Sequence, residues 1–427
     1  MKKIFSFLFF LTFTLAQAEQ EKLTLEKALA FAKKYNGQIR QAFLELKKAR
    51  IEVDHAVGNL LPTIGLNYER TLTHSTQDVG LVVEDNVIST NTEFAGTLSW
   101  RILDSGERIF KLVTTRKLAE IQNLKTLFEF RKKMVEVYQK YLNVLKSEES
   151  LKIANEQQHD SQKILEQTKI AADTGEIPKK DILQAKVSFL NAQTDTLSVN
   201  NQVVISRAEL KAILGFPIQE TLPEIASLQM PKDLQNIPKL EDSIQIGLKT
   251  RPDLNAIRGG IEVQKIYLQE EEIRSKINVT LDAAYTKSFS RGGFNGTSLI
   301  LGVKLPILTP YLSQPLVAKQ KVILRSLEEG FRQSENNAQA EIQSAHHQLY
   351  SSLQRLKSSA EALTIAQQNY QMFLDAQVSR AATLIEVMTA RKSLDTAKTN
   401  YAEAFYDAIQ SKTQLDFVMG KTVPGEA

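Results

Sequence analysis

Hydrophobicity along this chain runs with two periods. Over residues 94–102, Phe94, Leu98, Trp100 and Ile102 share one parity, and Thr97, Ser99 and Arg101 take the other. A period of two predicts a β-strand. The same alternation covers 62–72, where Ile64, Leu66 and Tyr68 face Thr63, Gly65 and Asn67. It returns over 277–287, with Val279, Leu281, Ala283 and Tyr285, and over 297–307, with Leu299, Leu301, Val303, Leu305 and Ile307. Each stretch is about ten residues, the length of a tilted membrane-crossing strand. The intervening 73–92 and 288–296 are polar and predict loops.

The second period is helical. Residues 107–174, 179–214 and 331–419 contain neither glycine nor proline and are rich in Ala, Leu, Gln, Glu and Lys. The expected helices are 25–59, 107–174, 179–214, 240–275, 315–378 and 384–419. The first long one would be a rod of about 100 Å, which needs partners along its length. Its middle carries several apolar tracks: Phe128, Val135 and Leu142; Leu127, Met134 and Tyr141; Phe130, Val137 and Val144; and Leu124, Tyr138 and Leu145, the last interrupted by Arg131. So wide an apolar surface predicts neighbours on two sides. From Lys146 to Lys163 the rod turns polar, which suits either a solvated helix or one facing a water-filled space. Helices 25–59 and 179–214, laid end to end, would match the long rod at roughly 105 Å.

The pattern repeats. At an offset of 205, residues 178–193 lie on 383–398, with Asp181 on Glu386, Leu183 on Met388 and Ala185 on Ala390; Leu210 then meets Leu415 and Gly215 meets Gly420. Upstream the offset is 215, and Asn36-Gly37 falls on Arg251-Pro252. The first repeat is therefore 19–215 and the second 239–420, joined by a proline-rich linker at 216–238 and followed by a tail at 421–427. Four strands cannot close a barrel, and open edges cannot face lipid. Two chains would pool eight strands and three would pool twelve. Each second strand runs straight into a long helix. Asp104-Ser105-Gly106 and Thr309-Pro310 mark the points where the chain leaves the bilayer.

The N-terminus places the protein outside the cytoplasm. Lys2 and Lys3, the apolar run Ile4 to Leu15 and Ala16-Gln17-Ala18 read as a signal peptide, 1–18. There is no cysteine, which excludes disulfides and thiolate metal sites, and the net charge of +4 is too small and too spread to predict a nucleic-acid partner. The five histidines form no chelating pattern; His346 and His347 are adjacent and point apart on a helix. No catalytic residues, metal or cofactor are expected. Tyr68 and Trp100 suit an aromatic belt at the lipid interface.

The order of these features resembles the TolC-type outer-membrane efflux protein family. The likeness rests on LTLEKALAFAKKYNGQIR with LLPTIGLNYE downstream, on RILDSGER after the second strand, and on TGEIPKKDILQAK at the first helical turn. Leu61-Pro62 meets the family's strand start, and Gly175, Asp181 and Ala185 meet its Gly-x(5)-Asp-x-x-x-Ala turn. The resemblance implies a homotrimer with a mostly α fold carrying transmembrane β: a twelve-stranded outer-membrane β-barrel continuous with a long periplasmic α-helical barrel. It implies a non-enzymatic exit duct that meets a periplasmic adaptor protein and, through it, an inner-membrane transporter. Glu386 would stand in a carboxylate ring at the narrow mouth, where many relatives carry a second acid and this chain has Thr389. Asp181 and Arg380 would pair to hold the mouth shut. Arg380 replaces the usual turn glycine, and Ile277 a second strand-start proline. The helical turns, Gly175, Glu176, Ile177 and Pro178 in the first repeat and Ala381, Ala382 and Thr383 in the second, would touch the adaptor. A periplasmic coiled-coil adaptor or structural protein is the alternative; it should carry one helical hairpin within a single β-rich unit.

Overall fold

A computed structural model describes residues 22–79, 82–175, 177–217, 219, 221–228, 234, 237–273, 278–288, 295–304, 309–379 and 381–426. The expected signal peptide, Glu176, Ile277 and Arg380 lie outside the described residues, as does much of the 216–238 linker. The elements are α1 (Leu25–Tyr35), α2 (Gly37–Gly58), β1 (Thr63–Val79), β2 (Val82–Asp104), α3 (Glu107–Asp173), α4 (Lys180–Leu214), α5 (Leu240–Thr250), α6 (Pro252–Ile273), β3 (Asn278–Ser288), β4 (Asn295–Lys304), α7 (Thr309–Val378) and α8 (Leu384–Val418). The order helix, helix, strand, strand, long helix, return helix runs twice. A lone helical hairpin on a β-rich unit has no such order.

Three boundaries differ from expectation. The helices expected over 25–59 and 240–275 are each broken in two. The breaks fall at Asn36 and Arg251, both in extended backbone with ψ near 120°. Pro252 explains the second break, because a residue before proline is pushed out of the helical region. Asn36 produces the first by capping α2: its Oδ1 accepts from Gln38 N at 2.9 Å and Ile39 N at 3.0 Å. Secondly, α7 begins at Thr309 rather than 315 and contains Pro315. Thirdly, the expected loop 73–92 is largely strand: β1 and β2 pair from Thr63↔Ser99 out to Val79↔Val82, with a bulge between Ser75 and Gln77. Cross-strand pairing satisfies backbone groups whatever the side chains, so a polar stretch can be strand as readily as loop.

The four strands form one antiparallel sheet in the order β1-β2-β3-β4. Pairing puts Ile64, Leu98, Ala283 and Leu299 in one row across the sheet, and Trp100, Leu281 and Leu301 in the next. That face is apolar. The opposite face carries Thr97, Ser99, Thr280 and Asp282, with Ser99 Oγ donating to Asp282 Oδ1 at 2.5 Å. A bulge between Arg101 and Leu103 interrupts the alternation read through Ile102 and turns Leu103 onto the apolar side.

The core sits at mid-length on α3. Phe130, Met134, Val137 and Tyr141 pack with Leu29, Ile39, Leu210 and Leu214 from α1, α2 and α4. Tyr138 and Leu142 pack with Ala408 and Ile409 of α8. This is why α3 has apolar tracks all round at that level. Tyr141 Oη donates toward the carbonyls of Ala226 at 2.8 Å and Leu23 at 3.0 Å, tying in the bridge between Leu23 and Ile225. Arg131, which interrupts one track, is buried. It donates to Gly420 O at 2.8 Å and to the Glu426 carboxylate at 2.7 to 3.1 Å, and so seats the C-terminal tail.

Candidate functional site

Three places on this frame can carry function: the strand exit, the helical tips, and the seam between the two helical hairpins. At the exit the chain must turn from sheet to rod within two residues. Ser105 (φ 53°) and Gly106 (φ 84°) do so, both in the left-handed region. Glycine takes that region freely; a serine there needs support from its surroundings. Support comes from Asp104, which is buried and accepts from Arg108 N at 3.3 Å and Arg108 Nε at 2.5 Å. The same guanidinium reaches the carbonyls of Asn59 (3.4 Å), Leu60 (3.5 Å) and Arg101. Trp100 Nε1 donates to Leu60 O at 3.3 Å. The RILDSGER motif is thus a joint clamping the entry to β1, the end of β2 and the start of α3.

Beyond the joint the apolar face of the sheet is exposed, with Ile64, Leu66, Leu299 and Val303 each more than 60% open. Tyr68 and Trp100 are exposed on that face.

At the far end, Gly175 (φ 77°) turns the chain from α3 toward α4, with open space where a Cβ would stand. Asp181 lies half-buried in the first turn of α4. In the second turn, Ala381 N and Ala382 N both donate to Ala376 O, at 2.8 and 3.2 Å. Thr383 caps α8 in a capping box. Glu386 N donates to Thr383 Oγ1 at 3.4 Å, and Glu386 Oε2 accepts from Thr383 N at 2.7 Å and Thr383 Oγ1 at 2.8 Å. Those bonds from Thr383 hold the exposed Glu386 carboxyl below its usual range. The partner expected for Asp181, Arg380, lies outside the described residues.

The seam joins α3 to α8, linking the α3–α4 hairpin to the α7–α8 hairpin. Near the middle it is apolar, as above. Toward the tips it becomes ionic: Lys146 lies 3.4 Å from Asp407, Glu156 2.8 Å from Lys398, and Asp160 2.7 Å from Arg391. The polar run from Lys146 to Lys163 is therefore matched to α8 and is neither bare nor simply solvated. Arg391 also pairs with Asp395 one turn on and sits 5.3 Å from the centre of the Tyr370 ring of α7. Nothing in a single stretch of sequence joined Asp160 to Arg391, which are far apart along the chain. The repeat's two offsets also meet in space. Asn36 Nδ2 donates to Ile213 O at 2.6 Å beside Gly215, and Thr250 Oγ1 donates to Met419 O at 2.6 Å beside Gly420. Both glycines have positive φ, and a Cβ on either would come within 2.8 Å of the facing backbone. In both repeats, then, the end of the return helix meets the break between the two short helices. Only α2, not the whole of 25–59, continues the line of α4 alongside α3.

Residues 28–216 match the family model described as "Outer membrane efflux protein". Over 429 residues the chain is 20% identical to outer membrane protein TolC of Salmonella enteritidis, covering 95% of this chain and 83% of that one. The Campylobacter jejuni CmeC outer membrane channel has the same fold, with a TM-score of 0.80 at 13% identity over 93% of this chain and 85% of that chain. The open-state Neisseria gonorrhoeae MtrE outer membrane channel gives 0.75 at 14% identity, over 93% and 89%. The family model takes in most of the first repeat, and these relatives extend the likeness through the second. With the exposed apolar sheet, the strand-to-rod joint and the doubled hairpin all in one chain, this protein is similar along nearly its whole length to the TolC-type outer membrane efflux proteins.

Proposed function

We propose that three copies of this chain close a twelve-stranded β-barrel in the outer membrane, continuous with a helical tube through the periplasm. The tube is the exit duct of a tripartite efflux or type I secretion system. Substrates enter it from an inner-membrane pump through a periplasmic adaptor. Residues 1–18 direct export. One observation carries this reading: among the described residues a single four-stranded sheet has an exposed apolar face, a polar opposite face and unpaired outer edges on β1 and β4. Lipid tolerates such a sheet only when its edges are closed, and neighbouring copies supply the closure.

The helices support the same assembly. Leu183, Leu190, Leu197 and Val204 recur every seven residues on α4, and all four are exposed. A heptad stripe of this kind is a seam for another helix. The lower mouth is then a threefold site. Three Glu386 carboxylates favour cations, Asp181 and Arg380 hold the resting mouth, and the turns at 175–178 and 381–383 receive the adaptor. Tyr68 and Trp100 sit at the lipid interface.

Two measurements test the assembly together. Outer-membrane fractions should contain an SDS-resistant trimer that heat converts to monomer, and the purified trimer should form ion-conducting pores in planar bilayers. Leu190→Asp together with Leu197→Asp should abolish the trimer. A monomeric, water-soluble protein without pore activity would refute the reading.

A further inference from the structure

Toward the end of the sheet away from the helices, charged residues are sorted by face. Over the rows from Ile64 to Arg70, the face that carries Thr97 and Ser99 holds Glu69, Glu93 and Asp282, all acidic. The apolar face holds Arg70 and Lys287, both basic and both exposed. Arg70 makes no hydrogen bond or ion pair with any described residue. A guanidinium so placed takes its counter-ion from the surroundings and not from the chain.

The height of the two cations is informative. Lys287 stands in the row of Tyr68 and Phe94, and Arg70 lies in the next row on the same face. From Val279 to Lys287, β3 rises roughly 27 Å along its length, or about 20 Å along the membrane normal at a tilt of about 40°. That nearly fills the apolar band of a membrane barrel, about 25 Å tall, so both cations reach the headgroup level. Beside them, on the membrane side, the apolar face is indented. Gly96 and Ala283 are small where Leu66, Leu98, Tyr285 and Leu299 are large, and a groove of about 480 Å³ lies there.

We propose that Arg70, Lys287 and this groove form a binding site for a phosphorylated lipid of the outer leaflet, one in each protomer. This rests on the barrel reading above, which turns the apolar face to lipid. The Arg70 guanidinium pairs with phosphate oxygens through parallel N–H bonds, and Lys287 adds a second point charge. Their backbones stand two strands apart, roughly 12 Å, a span that suits a headgroup with two phosphates. An acyl chain of the same lipid descends along the groove. The acidic residues all face the other way, so none of them repels the phosphates from this side.

The test uses the full-length trimer in phosphatidylcholine nanodiscs doped with bisphosphorylated lipid A, and native mass spectrometry counts the lipids that stay bound. Wild type should retain about one lipid A per protomer. Arg70→Gln together with Lys287→Gln should lower retention about tenfold or more. Gly96→Val should lower it by filling the groove while both charges remain; its Cβ fits, 3.7 Å from Leu66 Cδ2. Lys304→Gln removes a charge from the other face and should leave retention unchanged. Millimolar inorganic phosphate should displace nothing, because a free anion has no chain for the groove. Undiminished retention in the double variant or in Gly96→Val, an equal loss in Lys304→Gln, displacement by inorganic phosphate, or a wild type that keeps no lipid A overturns the site. Pore recordings on the same preparation separate this from the channel reading: a conducting trimer without bound lipid A fails the site alone, and a chain that never enters the bilayer fails both.

Discussion

Asn36 is a small residue with a large predicted effect. It is buried, and three hydrogen bonds end on its side chain: two from the first turn of α2 and one to the last turn of α4. Asn36→Ala removes the cap, at about 0.5–2 kcal/mol. It also removes the Nδ2 bond to Ile213 O, about 0.5–1.5 kcal/mol net, with an extra penalty for leaving the buried Ile39 N–H without a partner. A total of about 2–3 kcal/mol follows. The loss should be local, because the long apolar core on α3 lies beside the joint and stays intact. Amide hydrogen exchange on the detergent-solubilised trimer reads it directly: peptides covering 36–42 and 211–216 should exchange roughly 30- to 150-fold faster. Asn36→Asp separates the two contributions. It keeps the acceptor for α2, in a place where a negative charge suits the helix N-terminus, and loses the donor to α4. Its effect should therefore concentrate in 211–216. Exchange within a factor of about two of wild type at both sites for Asn36→Ala would refute the joint as the structure draws it.

Other outcomes follow from the same geometry. Asp104→Ala leaves the Arg108 guanidinium without its carboxylate. Losing one partner of a buried pair costs about 3–5 kcal/mol, and the three carbonyls that Arg108 retains place this case at the low end. The trimer should dissociate in SDS at a lower temperature, with a shift in emission from the single tryptophan, Trp100; an unchanged dissociation temperature would contradict the joint. Glu386→Lys should reverse or abolish cation preference in reversal-potential measurements. The wild-type Glu386 carboxyl is held low by Thr383, so its charge and the capping box persist into acid and are lost only as pH falls through that lowered value. Unchanged selectivity would remove Glu386 from the pore. Burial pushes the Tyr141 phenol up to about 12, so the folded protein keeps that proton while an unfolded chain loses it at its ordinary value of 10.0. Stability should fall between those two values, and Tyr141→Phe should flatten the fall at the cost of about 1–2 kcal/mol at neutral pH. A fall as steep in Tyr141→Phe as in wild type would assign it to other groups.

Hydrophobic periodicity alone determined the kinds of element, their order and their doubling, because period two and a long breaker-free helical run are local properties of the chain. Leu299, Leu301 and Val303 announce a strand without help from any neighbour. The glycines at 175, 215 and 420 mark the chain's turns for the same reason, since positive φ is a demand on one residue. What the sequence left undetermined needed two distant segments at once. The polar ribbon at 73–92 became strand because β2 was there to pair with it. Asn36 and Arg251 became breaks where one return helix and then the other abuts its partner. Arg131 looked like a flaw in an apolar track until the C-terminal tail supplied Glu426. The run from Lys146 to Lys163 suited either a solvated helix or one facing a water-filled space, and only the structure lays Arg391 and Lys398 of α8 against it. Burial and ion pairing are properties of a pair of surfaces. Only the tertiary structure brings both members of the pair together.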